Sequence, residues 1–201
     1  MMARQIRLSL LISVIGTMMP AWAAEDEGTA PPPPPRADKI KVLIITGGHE
    51  FERDPFFAMF KDIPDMTYRE VVQPEGLQWF APAKANEYDV MLWYDLWKTI
   101  EPENQKILKA LLEKGKPLVS LHHSVANYRN WEETIKIIGA KYYVEPAEGQ
   151  PKSLFKHGVK MKVKVADSKH PITRFLTDYE IVDEPYKQMA FLPDLKPLLT
   201  T

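Results

Sequence analysis

Imidazoles, carboxylates and a hydroxyl recur in this sequence where the chain must turn. His49 follows Gly47 and Gly48. His122, His123 and Ser124 stand together, His170 precedes a proline, and Asp183, Glu184 and Tyr186 surround Pro185. An imidazole with a carboxylate partner can take up and return a proton near neutral pH. His122 is the candidate acid/base group and Glu184 its candidate carboxylate partner; His49 completes a catalytic set drawn from distant segments. The same three side chains, His122, His49 and Glu184, are the candidates for holding a divalent metal, because imidazole and carboxylate both suit such ions. No close-spaced ligand pattern such as H-x-x-x-H or H-E-x-x-H accompanies them. Gly47 and Gly48 can turn backbone N–H groups toward an oxyanion, and equally suit a plain turn. Ser124 is near enough to a histidine for a nucleophilic pair, although nothing in the pattern demands one. His123, Trp131, His170, Asp183 and Tyr186 are supporting candidates, with a surface turn or a core position as their alternative role.

These residues need a scaffold, and the hydrophobic pattern supplies one. Lys41–Thr46 is a continuous apolar, β-branched run, as expected of a strand buried on both faces. Asp54 and Pro55 suit a helix start, with Asp54 as the cap and Pro55 at the first helical position; the helix runs through Phe56, Phe57 and Phe60. Tyr68–Val72 and Tyr88–Tyr94 read as further strands. Pro102–Lys114 places Ile107, Leu108, Leu111 and Leu112 on one helical face and ends at Gly115. Pro117–His122 reads as a fourth strand, Asn130–Ile138 as a helix closed by Gly139, and Val159–Val165 as a strand with one lysine-rich exposed face. Strands alternating with helices predict a doubly wound, flavodoxin-like α/β fold with a mainly parallel sheet flanked by helices. Such sheets bind ligands at the carboxyl ends of their strands, where His49 and His122 fall. Neighbours on a strand face opposite sides, so His122 and His123 can share a site only if the turn begins at His123. Trp79, Trp93, Tyr94, Trp97, Tyr128 and Trp131 gather near the same ends, as sugar-stacking faces or as ordinary core and rim residues.

The N-terminus carries Arg4 and Arg7, a short apolar run from Leu8 to Met19, and an A-x-A pattern at Ala21–Ala23. This predicts a signal peptide over residues 1–23, cut after Ala23, and hence a periplasmic or secreted protein. Residues 24–38 form a proline-rich linker with five consecutive prolines, Pro31–Pro35. Residues 39–201 form one domain. Without Arg4 and Arg7 the charge is 24 basic against 27 acidic side chains, or −3. That balance offers no electrostatic attraction for nucleic acid or for an anionic membrane surface once the signal is removed. There is no cysteine, so a thiolate nucleophile is excluded and no disulfide supports the fold.

Four stretches in order, Lys41–His49, Gly115–Ser124, His170–Thr173 and Asp183–Tyr186, make the chain similar to the ThuA-like trehalose-utilisation family. That family's fold resembles class I glutamine amidotransferases. The resemblance spans residues 39–201, with Trp131 and Gly139 between the second and third stretches. It places His122 where the amidotransferases carry their nucleophilic cysteine, which with the absence of cysteine rules out thiolate glutaminase chemistry. It implies carbohydrate metabolism, with a trehalose-type or keto-sugar small molecule as partner; a non-catalytic sugar-binding module or an exported scaffold are the alternatives. It also implies family elements beyond Thr201, containing a last strand and a further histidine, which this sequence lacks.

Overall fold

Strand β1 (Ile40–Gly47) has five consecutive buried residues, Val42 to Thr46. A strand with no exposed face needs cover on both sides. The computed structural model describes residues 38–201. After β1 come helix α1 (Arg53–Lys61), strands β2 (Met66–Val72) and β3 (Val90–Asp95), helix α2 (Pro102–Glu113) and strand β4 (Leu118–Ser120). The four strands form one parallel sheet in the order β2-β1-β3-β4. Alternate residues of β1 serve opposite layers. Val42 and Ile44 cluster with Phe56 of α1, whereas Leu43 and Ile45 belong to the larger core with Leu108 and Leu111 of α2. Both faces are therefore covered, giving the doubly wound α/β architecture that the alternation of elements predicts.

The remaining elements are a short α-helix and strands that pair antiparallel. They are α3 (Thr134–Ile138), β5 (Ala140–Lys141), β6 (Leu154–Phe155), β7 (Val159–Val165), β8 (Tyr179–Asp183), β9 (Tyr186–Lys187), β10 (Ala190–Phe191) and β11 (Leu199–Thr200). β7 lies between β11 and β8, β6 pairs with β9, and β5 with β10. As its alternation predicts, β7 buries Met161 and Val163 and exposes Lys160, Lys162 and Lys164.

Several boundaries differ from the sequence reading. α1 begins two residues earlier, at Arg53, with Glu52 in the cap position and no side-chain cap; Asp54 and Pro55 lie inside the first turn. Its first backbone bond, from Phe56 N to Glu52 O at 3.1 Å, requires nothing of the proline, because first-turn N–H groups have no helical acceptor. β4 stops at Ser120 and the chain turns from His122. The helix expected from Asn130 starts only at Thr134, because both amide atoms of Asn130 bond to the backbone of Ile100 instead. Gly139 closes α3 as expected, with φ 96°. The signal peptide and all of the proline-rich linker but Asp38 lie outside the described residues. No helix among the described residues is long and apolar enough to cross a membrane.

Candidate functional site

The strand order reverses direction about β1 and β3, and such a switch point leaves a crevice at the carboxyl ends of the strands. Gly47 ends β1 in register with Asp95 of β3. Gly47 and Gly48 both have positive φ, 118° and 76°, a region that costs other residues strain. Space matters as much: a Cβ on Gly48 would sit 2.3 Å from the Leu96 carbonyl oxygen. The two glycines let the chain after β1 press against the chain after β3, which carries His49 to the crevice. His122, with φ 45°, opens the single helical turn His122–Ala126. The turn thus begins one residue before the position that a shared site was expected to need, and the rings of His122 and His123 come to 5.6 Å, edge to face.

Glu184 stands between β8 and β9 and reaches the His122 ring. His122 Nε2 lies 2.8 Å from Glu184 Oε2 and 2.8 Å from the Tyr186 hydroxyl, and the Tyr186 ring stacks on His122 at 4.8 Å. An ionised carboxylate only accepts, so Nε2 carries the proton and donates to Glu184. Tyr186 also bonds to Glu184, and burial together with that carboxylate raises its phenol far above the ordinary tyrosine value. It stays a donor. The Tyr94 and Tyr142 phenols are raised as well, first by burial, then at Tyr94 by Asp183 and Glu184 and at Tyr142 by Glu184. Asp183 accepts from the Glu184 backbone N–H at 2.8 Å, fixing the corner between the two strands. With Nε2 committed as a donor, His122 Nδ1 is left as the basic nitrogen of a ring whose side chain is 35 % exposed.

His123 has a different environment. It is buried, stacks on His49 and packs against Tyr94, each at 4.5 Å between ring centres. Its Nε2 donates to the Tyr94 carbonyl at 3.3 Å. Burial, with the nearby His49 and His122, pushes its ring down to about 4, so it is neutral in use. His49 is exposed and donates Nδ1–H to the Glu50 carbonyl at 2.5 Å, leaving Nε2 as its acceptor.

Other candidates have structural positions. Ser124 is fully buried, with its hydroxyl among the carbonyls of Trp93 and Leu121 and the Ser120 hydroxyl. It is bonded into the β3–β4 junction, and no histidine partner is recorded for it among the described residues. Trp131 is a core residue whose carbonyl receives Thr134 and Lys141, so its ring is no open sugar platform. Trp93 and Tyr128 are likewise core, while Tyr94 and Trp97 are half-buried. His170 belongs to a turn in which its Nδ1 accepts from the Ile172 N–H, and its bonds stay within Asp167–Arg174. Among the described residues, no three His, Asp or Glu side chains are grouped so as to hold a metal ion.

The ThuA family model, described as trehalose utilisation, matches residues 41–201. The chain belongs to the ThuA family. Two solved structures share its fold. One is a ThuA-like protein from Parabacteroides merdae, 15% identical with TM-score 0.67, the match covering 81% of this chain and 68% of the other. The second is a ThuA-like protein from Bacteroides uniformis, 17% identical with TM-score 0.56, covering 86% and 76% respectively. No curated protein matches the chain. Membership ties this ThuA chain to trehalose utilisation in the broad sense.

Two groups in the ThuA chain escape sequence reasoning. His157 lies 3.1 Å, through Nδ1, from Glu184 Oε1; only the glycine after it marks a turn. Asp95, fully buried at the end of β3, receives Gln73 Nε2 at 2.9 Å and Asn127 Nδ2 at 2.5 Å, and Gln73 reaches the Tyr128 hydroxyl at 3.2 Å. Burial pushes the Asp95 carboxyl up to about 7 against those two bonds. The sequence signal for this network is one carboxylate closing an otherwise apolar strand.

Proposed function

We propose that this ThuA chain is an exported carbohydrate-processing protein acting on a trehalose-type or keto-sugar substrate, with His122 as the acid/base group and Glu184 as its carboxylate partner. The observation that carries the reading is the 2.8 Å contact of His122 Nε2 with Glu184 Oε2 at the strand-end crevice. A carboxylate on one ring nitrogen fixes the tautomer, so that the other is the nitrogen free to exchange a proton. His122 Nδ1 would remove a proton from a sugar hydroxyl or an attacking water and return it to the departing oxygen. The half-buried Tyr94 phenol would supply a neutral donor for a sugar oxygen, and the Tyr94 and Tyr142 rings aromatic surface, the Tyr142 hydroxyl itself donating to the Ser153 carbonyl at 3.1 Å. The export component rests on the residue pattern at Arg4–Ala23.

The test is turnover of trehalose and its keto derivatives by purified full-length protein. Loss of turnover by at least about a hundredfold in both His122→Ala and Glu184→Gln is the expected result for an acid/base pair. Undiminished turnover in His122→Ala would remove the assignment. For export, the mature N-terminus is expected at Ala24 in the extracytoplasmic fraction; an intact Met1 in the cytoplasm would rule it out.

A further inference from the structure

Glu184 is a mostly buried carboxylate, its side chain 16 % exposed, whose two oxygens go to different imidazoles: Oε2 to His122 and Oε1 to His157. Among the described residues its ion-pair partners are these two imidazoles, not a lysine or arginine. We infer that His157 is a positioning residue of the site, holding the outer oxygen of Glu184 so that the inner oxygen stays on His122. The inference rests on the His122–Glu184 reading above and extends the site to the segment that follows β6.

The geometry of β6 and β9 carries it. Phe155 pairs directly with Tyr186, and Lys156 N–H reaches the Pro185 carbonyl at 3.4 Å. The segment that follows β6 therefore runs along the Glu184–Tyr186 corner. Gly158, at φ 65°, turns the chain into β7 immediately after His157. The Phe155 ring stands edge-on to the His157 ring at 5.2 Å, which limits where that ring can lie. A carboxylate accepts only, so His157 donates through Nδ1. His122 holds Oε2 and the Tyr186 hydroxyl also bonds the carboxylate; a donor on Oε1 adds the contact that resists its pivoting about the χ angles. His157 is 79% exposed, so it buries nothing of consequence, and its contact with Glu184 is what distinguishes it from an ordinary surface histidine. Around the pair stand Tyr94 from β3, His123 from the turn after β4, Tyr142 after β5, Asp183 from β8 and Tyr186 from β9.

The test reads the Nε2–H proton of His122 directly. In the full-length protein at about pH 8.5, well above the ordinary histidine range, a ring N–H bonded to Glu184 gives a downfield proton signal protected from water. His157→Phe keeps an aromatic ring against Phe155 and removes the donor; His157→Asn places an amide N–H where Nδ1–H stood. The expected result is exchange of the His122 proton at least about tenfold faster in His157→Phe, because the partner opens more often, and return to the wild-type rate in His157→Asn. Wild-type behaviour in His157→Phe overturns the role of His157 and leaves the His122–Glu184 pair standing. Equal acceleration in both variants also overturns it, since a donor would then not be what matters. A wild-type protein without the protected His122 signal removes the pair itself, and the proposed function with it.

Discussion

At the residue scale, the candidate site is one carboxylate organising its neighbours. Glu184 fixes the proton on His122 Nε2, adds to the burial that raises three phenols, and engages His157. His123, one residue from His122, is instead held neutral by burial. Adjacent histidines thus have different chemistry because the turn at His122 sends one ring toward the crevice and the other under it. The glycines have a comparably specific role. Gly48→Ala is expected to destabilise the protein by more than the ~1–2 kcal/mol that a left-handed conformation costs a non-glycine residue, because its Cβ would also press on the Leu96 carbonyl. Urea unfolding measures this; an unchanged midpoint would mean that the turn after β1 does not pack against the chain after β3.

At the element scale, α2 shows how the sheet is held. Leu108 is fully buried against the face that also carries Leu43, Ile45 and Trp93. Leu108→Ala leaves a cavity there and is expected to cost about 2–5 kcal/mol, read as a lower denaturant midpoint. Exposed positions of α2, such as Lys109, are expected to tolerate the same change within about 0.5 kcal/mol. The short pair β6–β9 contributes differently: it brings Glu184, Tyr186 and His157 to the end of a sheet to which they do not belong.

At the scale of the whole molecule, two buried groups give opposite pH dependences. Asp95 has its folded value raised from 3.8 to about 7, so the folded state holds its proton more tightly. Its favourable term is complete below about pH 4 and is lost as pH rises to about 7. His123 has its folded value lowered from 6.5 to about 4. Its term is complete above about pH 6.5 and is lost as pH falls to about 4. Between those limits the two slopes oppose one another. Stability of the natural chain is therefore expected to vary little from pH 4 to pH 6.5. Asp95→Asn should unmask a loss of stability on acidification, and His123→Phe a loss on raising the pH. Thermal unfolding across that range checks both signs; parallel curves for all three proteins would contradict the burial of one group or the other.

The sequence by itself determined the layers. The apolar run at Val42–Ile45 requires cover on both faces, the i, i+3 spacing of Leu108 and Leu111 matches the helical period and sets the packed face of α2, and Gly139 suits the left-handed end of a helix where it stands. Each is a local property, settled by side-chain type and period. The order His49, His122, Glu184 was also legible as a set of turn residues with matching chemistry. What the tertiary structure decided was proximity. Nothing local says that Glu184 reaches His122 across 62 positions, that His157 shares that carboxylate, or that Trp131 and Ser124 face inward. Those outcomes depend on strand order, on which small ribbon pairs with which, and on the left-handed turn at His122, all of them fixed by packing between segments distant in sequence.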